Sequence, residues 1–153
     1  MNISLGDVQE TALIPLAIRA DETMRKNNRI TDIKAVEIIK ALGIGTKKYD
    51  KFFSHEGIVA RTILFDETVG SLIIQHENAV CINIGCGLDD RFTRVDNGKI
   101  LWYDVDLPDS IAVRKKAFAE SDRVKMIAGN VLSNGWADGI PKEKTVIVIA
   151  EVC

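Results

Sequence analysis

The sequence predicts an α/β protein: a doubly wound, Rossmann-like parallel sheet with strand order 3-2-1-4, preceded by an N-terminal helical cap. Three observations carry this expectation. Up to about residue 78 the apolar residues recur at helical spacing. From residue 79 onward, four short runs rich in β-branched residues alternate with helix-like or loop-like stretches. Those runs, "AVCINIG", "KILWYDVDL", "VKMIAG" and "TVIVIAEV", are almost continuously apolar, as strands covered on both faces of a parallel sheet are. The expected division is 1–78 for the cap and 79–153 for the sheet, together forming one structural unit.

In the cap, "TALIPLAIRADETMRKN" sets Leu13, Ile14, Ala17, Ile18 and Met24 on one broad stripe, with Pro15 acceptable near a helix start. "DIKAVEIIKALG" begins at Asp32, whose carboxylate can accept the free N–H groups of a first turn. It presents Val36, Ile39 and Leu42 and stops at Gly43. "EGIVARTILFDETVGSLIIQHE" is the third and longest helix. Among the connections in the second half, "DSIAVRKKAFAES" reads as a helix capped by Asp109 after Pro108. "LDDRFTRV" and "NGWADGIPKEK" link the other strands. Right-handed crossovers then place the ligand outside the carboxyl ends of the strands.

Composition narrows the classes of function. With 46% hydrophobic and 27% charged residues the 153-residue chain matches an ordinary globular domain. Its 20 Lys and Arg against 22 Asp and Glu leave a formal charge of -2 and no long basic block, so neither nucleic acid nor a membrane surface is expected as partner. "ALIPLAI" is far too short to span a bilayer, and no targeting signal is read at the N-terminus. Cys81, Cys86 and Cys153 form neither an even disulfide framework nor a CxxC metal pattern, which points to a reduced, cytoplasmic protein without a metal.

The strand ends carry the chemistry. The first run closes in Asn83-Ile84-Gly85-Cys86-Gly87, the second in Asp104-Val105-Asp106, the third in Gly129-Asn130 and the fourth in Glu151. "GCGLDD" departs from the dinucleotide pattern G-x-G-x-x-G because Asp90 stands at the third glycine, and Asp89 with Asp90 would repel a pyrophosphate. An acid about 20 residues beyond the glycines suits the two hydroxyls of a ribose, and Asp106 stands there. Acids flanking glycines fit a cationic or zwitterionic adenosyl ligand without phosphates, namely S-adenosylmethionine, better than NAD. Each residue has a plainer alternative: the glycines as turn residues, Asp106 as a helix cap, Asn130 as a turn residue and Glu151 as a solvated chain end.

"INIGCGLDDRFTRV", "WYDVDLPDSIAVRKKAF", "ARTILFD" and "TALIPLAIRADE" resemble the leucine carboxyl methyltransferase family and its relatives, the polyketide O-methyltransferases of the tetracenomycin type. The resemblance runs over nearly the whole chain and implies a class I methyltransferase using S-adenosylmethionine. It implies that Gly85 and Gly87 approach the methionine part of the cofactor, that Asp106 holds the ribose, and that Asn130 and Val131 flank the adenine. Glu151 would face the amino end, Arg61 would pair with the cofactor carboxylate, and Arg19 would be a second cation. The acceptor implied is a carboxyl or hydroxyl group on a small molecule or peptide; no catalytic base is assigned. The family usually has threonine at position 90 and aspartate at position 130, where this chain has Asp90 and Asn130. It also continues beyond "AEV", so the C-terminal half of the fold is expected to be absent, activity of the 153 residues alone to be doubtful, and the 145–152 strand edge to offer a route to a homo-oligomer. Two alternatives stay open: a non-catalytic fragment that binds the cofactor or S-adenosylhomocysteine, and, further off, an NAD-dependent oxidoreductase.

The remaining residues read as structural. Arg61, without the resemblance, would snorkel or pair with Glu56 or Asp66. Asp104 is expected in solvent or in a loop, Arg114, Lys115 and Lys116 on a solvated helix face, and His55 and His76 at the surface or in caps. Trp102 and Trp136 are expected to pack on the sheet, with Trp136 also placed to edge an adenine pocket, and Cys86 to be a small packing residue.

Overall fold

The computed structural model describes residues 1–49 and 52–151. Strands β1 (Val80–Ile84), β2 (Leu101–Asp106), β3 (Val124–Ala128) and β4 (Val146–Ala150) form an all-parallel sheet in the order β3-β2-β1-β4, as the sequence predicts. The register sets Ile84 opposite both Val105 and Ala150. The next residues along each chain segment, Gly85 after β1, Asp106 at the end of β2 and Glu151 after β4, therefore emerge together at one end of the sheet.

Side-chain alternation divides the sheet into two faces. Cys81, Trp102, Ile147 and Ile149 point to one face, where Val69 and Ile73 of α3 (Phe52–Gln75) and Phe92 and Val95 of α4 (Arg91–Val95) cover them. Met126 on the same face meets Ile111 of α5 (Pro108–Arg114) and Cys86. The other face, with Val80, Ile82 and Val105, is covered by Val131, Trp136 and Ile140 from the segment before β4. Among the described residues the helices thus lie on one face, and a turn-rich segment replaces a helix on the other. The expectation that all four strands are covered on both faces holds for β1 but not for β4, whose Val146 and Val148 are 43% and 60% exposed. An apolar run reads the same whether its second cover is present or not. The last residue of the predicted fourth strand, Val152, and Cys153 lie outside the described residues.

In the cap, α1 (Glu10–Met24) packs against α2 (Ile33–Leu42) around Leu16, Ala17, Ala20, Ala35 and Ile38. Leu88 from the glycine loop joins that same core, so cap and loop are built on shared packing. Asp32 caps α2 by accepting from Ala35 N–H at 2.9 Å, and Gly43 ends it in the left-handed region at φ 66°, both as expected. Met24 continues the packed face of α1 but is the last residue of the helix and is 54% exposed.

The helix expected over 109–121 ends at Arg114. The Arg114 carbonyl accepts from both Ala117 and Phe118, and this turn lays the Phe118 ring 4.0 Å from the Arg114 guanidinium. Asp109 is not the cap. Pro108 takes the first helical position, where its fixed φ fits and no N–H is needed, leaving Asp109 in the first turn at the positive end of the helix dipole.

Candidate functional site

A cavity of about 260 Å³ lies at the carboxyl ends of the strands and brings together Arg19, Arg61, Gly85, Gly87, Asp106 and Glu151. Gly85 and Gly87 have φ of 68° and 48°, a region in which a side chain would be strained, so the sharp turn after β1 requires glycine at both positions. The turn aims the Gly87 N–H at Asp106 Oδ2, 2.9 Å away, while Leu107 N–H donates to Oδ1 at 2.7 Å. The Asp106 carboxylate is thereby fixed by two backbone donors at the cavity wall. Both of its oxygens keep further lone pairs for a ligand hydroxyl.

Opposite charges face each other at another part of the wall. Arg61 Nε of α3 lies 2.6 Å from Glu151 Oε1, and Arg91 Nη2 donates to Glu151 Oε2 at 2.6 Å. Glu56 and Asp66, considered as Arg61 partners from sequence, are engaged elsewhere, Glu56 with Arg29 and Asp66 with Arg91 and Arg94. Arg19 is buried; its Nε donates to Asp32 Oδ2 at 2.8 Å and its Nη2 to the Leu88 carbonyl at 3.3 Å. It borders the cavity while tying the cap to the glycine loop.

Asp89 sits within 3.5 Å of Arg19, 3.3 Å of Arg91 and 2.9 Å of Arg94. Burial opposes its charge, but Arg19, Arg94 and Arg91 together hold the carboxyl below the usual carboxylate range. Asp89 borders the cavity with its negative charge balanced by this arginine cluster. Asp90 lines a separate groove with Thr93 and Arg94, accepts from Thr93 Oγ1 at 2.9 Å, and has its carboxyl pushed up by burial.

Asn130 and Val131 do not border the cavity. Asn130 is exposed, and its Oδ1 accepts from Leu132 N–H at 2.9 Å in a turn. Val131 packs against the opposite sheet face with Trp136.

The chain matches the leucine carboxyl methyltransferase family over residues 12–130. It belongs to that family. It is also 31% identical over 151 residues, 97% of its length, to the tetracenomycin polyketide synthesis O-methyltransferase TcmP of Streptomyces glaucescens, of which the alignment covers 56%. The chain thus spans about half the length of the curated relative it matches. The matched leucine carboxyl methyltransferase region takes in the cap, the glycine loop and Asp106.

Several residues of this family member differ from their sequence reading. Asp104 is fully buried on β2, not in solvent: it accepts from Asn83 Nδ2 at 2.9 Å, Trp102 Nε1 at 2.9 Å and Arg114 Nη2 at 2.7 Å. Arg114 is buried too, whereas Lys115 and Lys116 are exposed as expected. His55 is buried and its Nε2 lies 2.9 Å from Glu22 Oε2. Arg29 also chelates Glu22 and, as the leading cause, holds its carboxyl down to about 2. Arg91 and Arg94 escaped the sequence reading altogether, because an arginine every third position looks the same on a solvated helix as inside a charge cluster. Their one signal was the density of acids nearby in "LDDRFTR" and "LFDE". Trp102 is buried against the Phe92 ring at 5.9 Å, and Cys86 is a buried packing residue whose thiol burial pushes far up, both as expected. Among the described residues no helix is long and apolar enough to cross a membrane.

Proposed function

We propose that this chain binds S-adenosylmethionine and forms the cofactor-binding part of an O-methyltransferase that modifies a carboxyl or hydroxyl group on a small molecule or peptide. One observation carries the reading: a single cavity joins the anchored Asp106 carboxylate to the Arg61–Glu151 pair across Gly85 and Gly87. A ribose diol matches Asp106, which accepts from both hydroxyls. A zwitterionic amino acid matches Arg61 and Glu151, since the ligand carboxylate takes the guanidinium and its ammonium takes the carboxylate. The exchange replaces one ion pair by two. Gly85 and Gly87 let the backbone approach the ligand, Arg19 adds a second cation, and the adenine extends beyond the cavity to be flanked by Asn130 and Val131 in this reading.

When bound, this cofactor supplies an electrophilic methyl group for in-line displacement by an oxygen nucleophile. The protein contributes alignment and exclusion of water. A carboxylate acceptor needs no base. The relative's part in polyketide synthesis, as its name states, supports a small-molecule acceptor. In the same reading residues 1–78 are the cap and 79–153 the cofactor-binding half of one unit, and the exposed Val146 and Val148 of the 145–152 edge serve a pairing of two copies. Cys81 and Cys86 are free thiols, which suits a reducing cytoplasmic setting.

Isothermal titration with S-adenosylhomocysteine tests the reading. Saturable one-to-one binding is expected, and thermal stabilisation by NAD without any response to S-adenosylhomocysteine would overturn it in favour of an oxidoreductase. Binding without methyl transfer to any acceptor would assign the chain a non-catalytic role.

A further inference from the structure

We propose that Arg114 is a positioning residue for the ribose end of the cofactor site, acting through the glycine loop without touching the ligand. The inference rests on the cofactor reading above. Arg114 does not line the cavity, yet it is buried directly behind the loop that does. Its Nη1 donates to the carbonyls of both Gly87 and Asp89, at 2.9 and 2.8 Å, and its Nη2 donates to Asp104 Oδ2 at 2.7 Å. Asp104 is itself held by Asn83 of β1 and Trp102 of β2. One planar fork therefore fastens two loop carbonyls to the two central strands, with the Phe118 ring against the guanidinium.

The consequence follows from peptide geometry. Gly87 presents its carbonyl to Arg114 and its N–H to Asp106 Oδ2, two groups in successive peptide planes that meet at the Gly87 Cα, so pinning the carbonyl restrains the torsions of a residue that has no Cβ to restrain them and with them the direction of its N–H. Asp106 then keeps the orientation in which its free lone pairs face the ligand. A buried cation is a poor way to pack a helix against a sheet, since apolar residues of similar volume are often at least as stabilising. What apolar packing cannot supply is the fixed register of two carbonyls and one carboxylate. Lysine cannot supply it either, because its single ammonium lacks the fork.

The test uses the full chain with Arg114→Lys, Arg114→Met, Asp106→Ala and the Arg114→Lys/Asp106→Ala double variant. Affinities for S-adenosylhomocysteine and adenosine are measured by titration, and amide hydrogen exchange is followed at Gly87 and along β1. Arg114→Lys is expected to weaken both ligands equally, by about tenfold or more, since both carry the ribose. In the Asp106→Ala background it should cost less than about threefold further, because the route to the ligand is already cut. Gly87 exchange should accelerate while Val80–Ile84 stays protected. Arg114→Lys retains the buried charge beside Asp104, so it serves if Arg114→Met does not fold. Unchanged affinity in Arg114→Lys, or losses that multiply in the double variant, would overturn the inference alone. If the unaltered chain binds no S-adenosylhomocysteine, the cofactor reading falls and this inference with it.

Discussion

Replacing Asp106 by alanine is the sharpest perturbation of the proposed site. The carboxylate stands at the end of β2 and is fixed by Gly87 N–H at 2.9 Å and Leu107 N–H at 2.7 Å. In the cofactor reading it also accepts from both ribose hydroxyls. Hydrogen bonds to a charged acceptor contribute about 1.5–3 kcal/mol each, so losing two costs about 3–6 kcal/mol, or two to four powers of ten in Kd. Asp106 is only half buried, and water can refill part of the vacated space, which favours the lower end. Release of the Gly87 N–H acts in the same direction by loosening the loop. Titration with S-adenosylhomocysteine measures the loss, and a thermal melt confirms that the variant is folded. Asp106→Asn should fall between, because its amide oxygen can still accept from Leu107 while its NH₂ faces another donor at Gly87. A Kd for Asp106→Ala within about threefold of the unaltered chain would refute the placement of the ribose, since that margin is under 1 kcal/mol.

Arg61→Lys removes a planar fork while keeping the charge. It should weaken S-adenosylhomocysteine more than adenosine, which has no carboxylate; equal losses would return Arg61 to a structural role beside Glu151. Glu22, held down to about 2 from an ordinary 4.5 chiefly by Arg29, contributes stability that is fully present above pH 4.5 and lost as pH falls toward 2. Urea unfolding of Glu22→Gln should therefore differ from the unaltered chain by on the order of 2–3 kcal/mol at neutral pH, with the gap closing over that window. Asp90 is the opposite case, its carboxyl raised above 3.8 by burial, so its ionisation opposes folding once pH exceeds the unfolded value. Asp90→Asn keeps an acceptor for Thr93 and should raise the melting temperature at pH 7 but not below pH 3.8; no gain at pH 7 would show that the charge is well solvated.

The parts of the fold legible in the sequence are those fixed by local pattern. β1 to β4 announce themselves as apolar runs, Asp32 and Gly43 as helix ends, and Gly85, Gly87 and Asp106 as polar residues at the carboxyl ends of strands. Six of the eight residues expected at the cofactor site line one cavity, while Asn130 and Val131 do not. The unread parts depend on partners distant in the chain. Arg114 beside Lys115 and Lys116 has the look of a solvated face, and only the fold reveals Asp104 beneath it. His55 and Glu22 are 33 positions apart, and neither carries a local mark of burial. The run "TVIVIA" shows how apolar β4 is, but not that only one of its faces is covered.

The arginine cluster behind the glycine loop bears on how this sequence can change over generations. Asp66 serves Arg91 and Arg94, Asp89 serves those two and Arg19, and Asp32 serves Arg19 and Arg94. Because every charge in it has at least two partners, a single replacement leaves more than one buried ion short of its counter-charge, which costs several kcal/mol. Drift at these positions therefore proceeds by concerted replacement rather than one residue at a time. Positions 19, 32, 66, 89, 91 and 94 should be inherited as a block, even though α1, α3 and α4 are otherwise free to vary on their exposed sides.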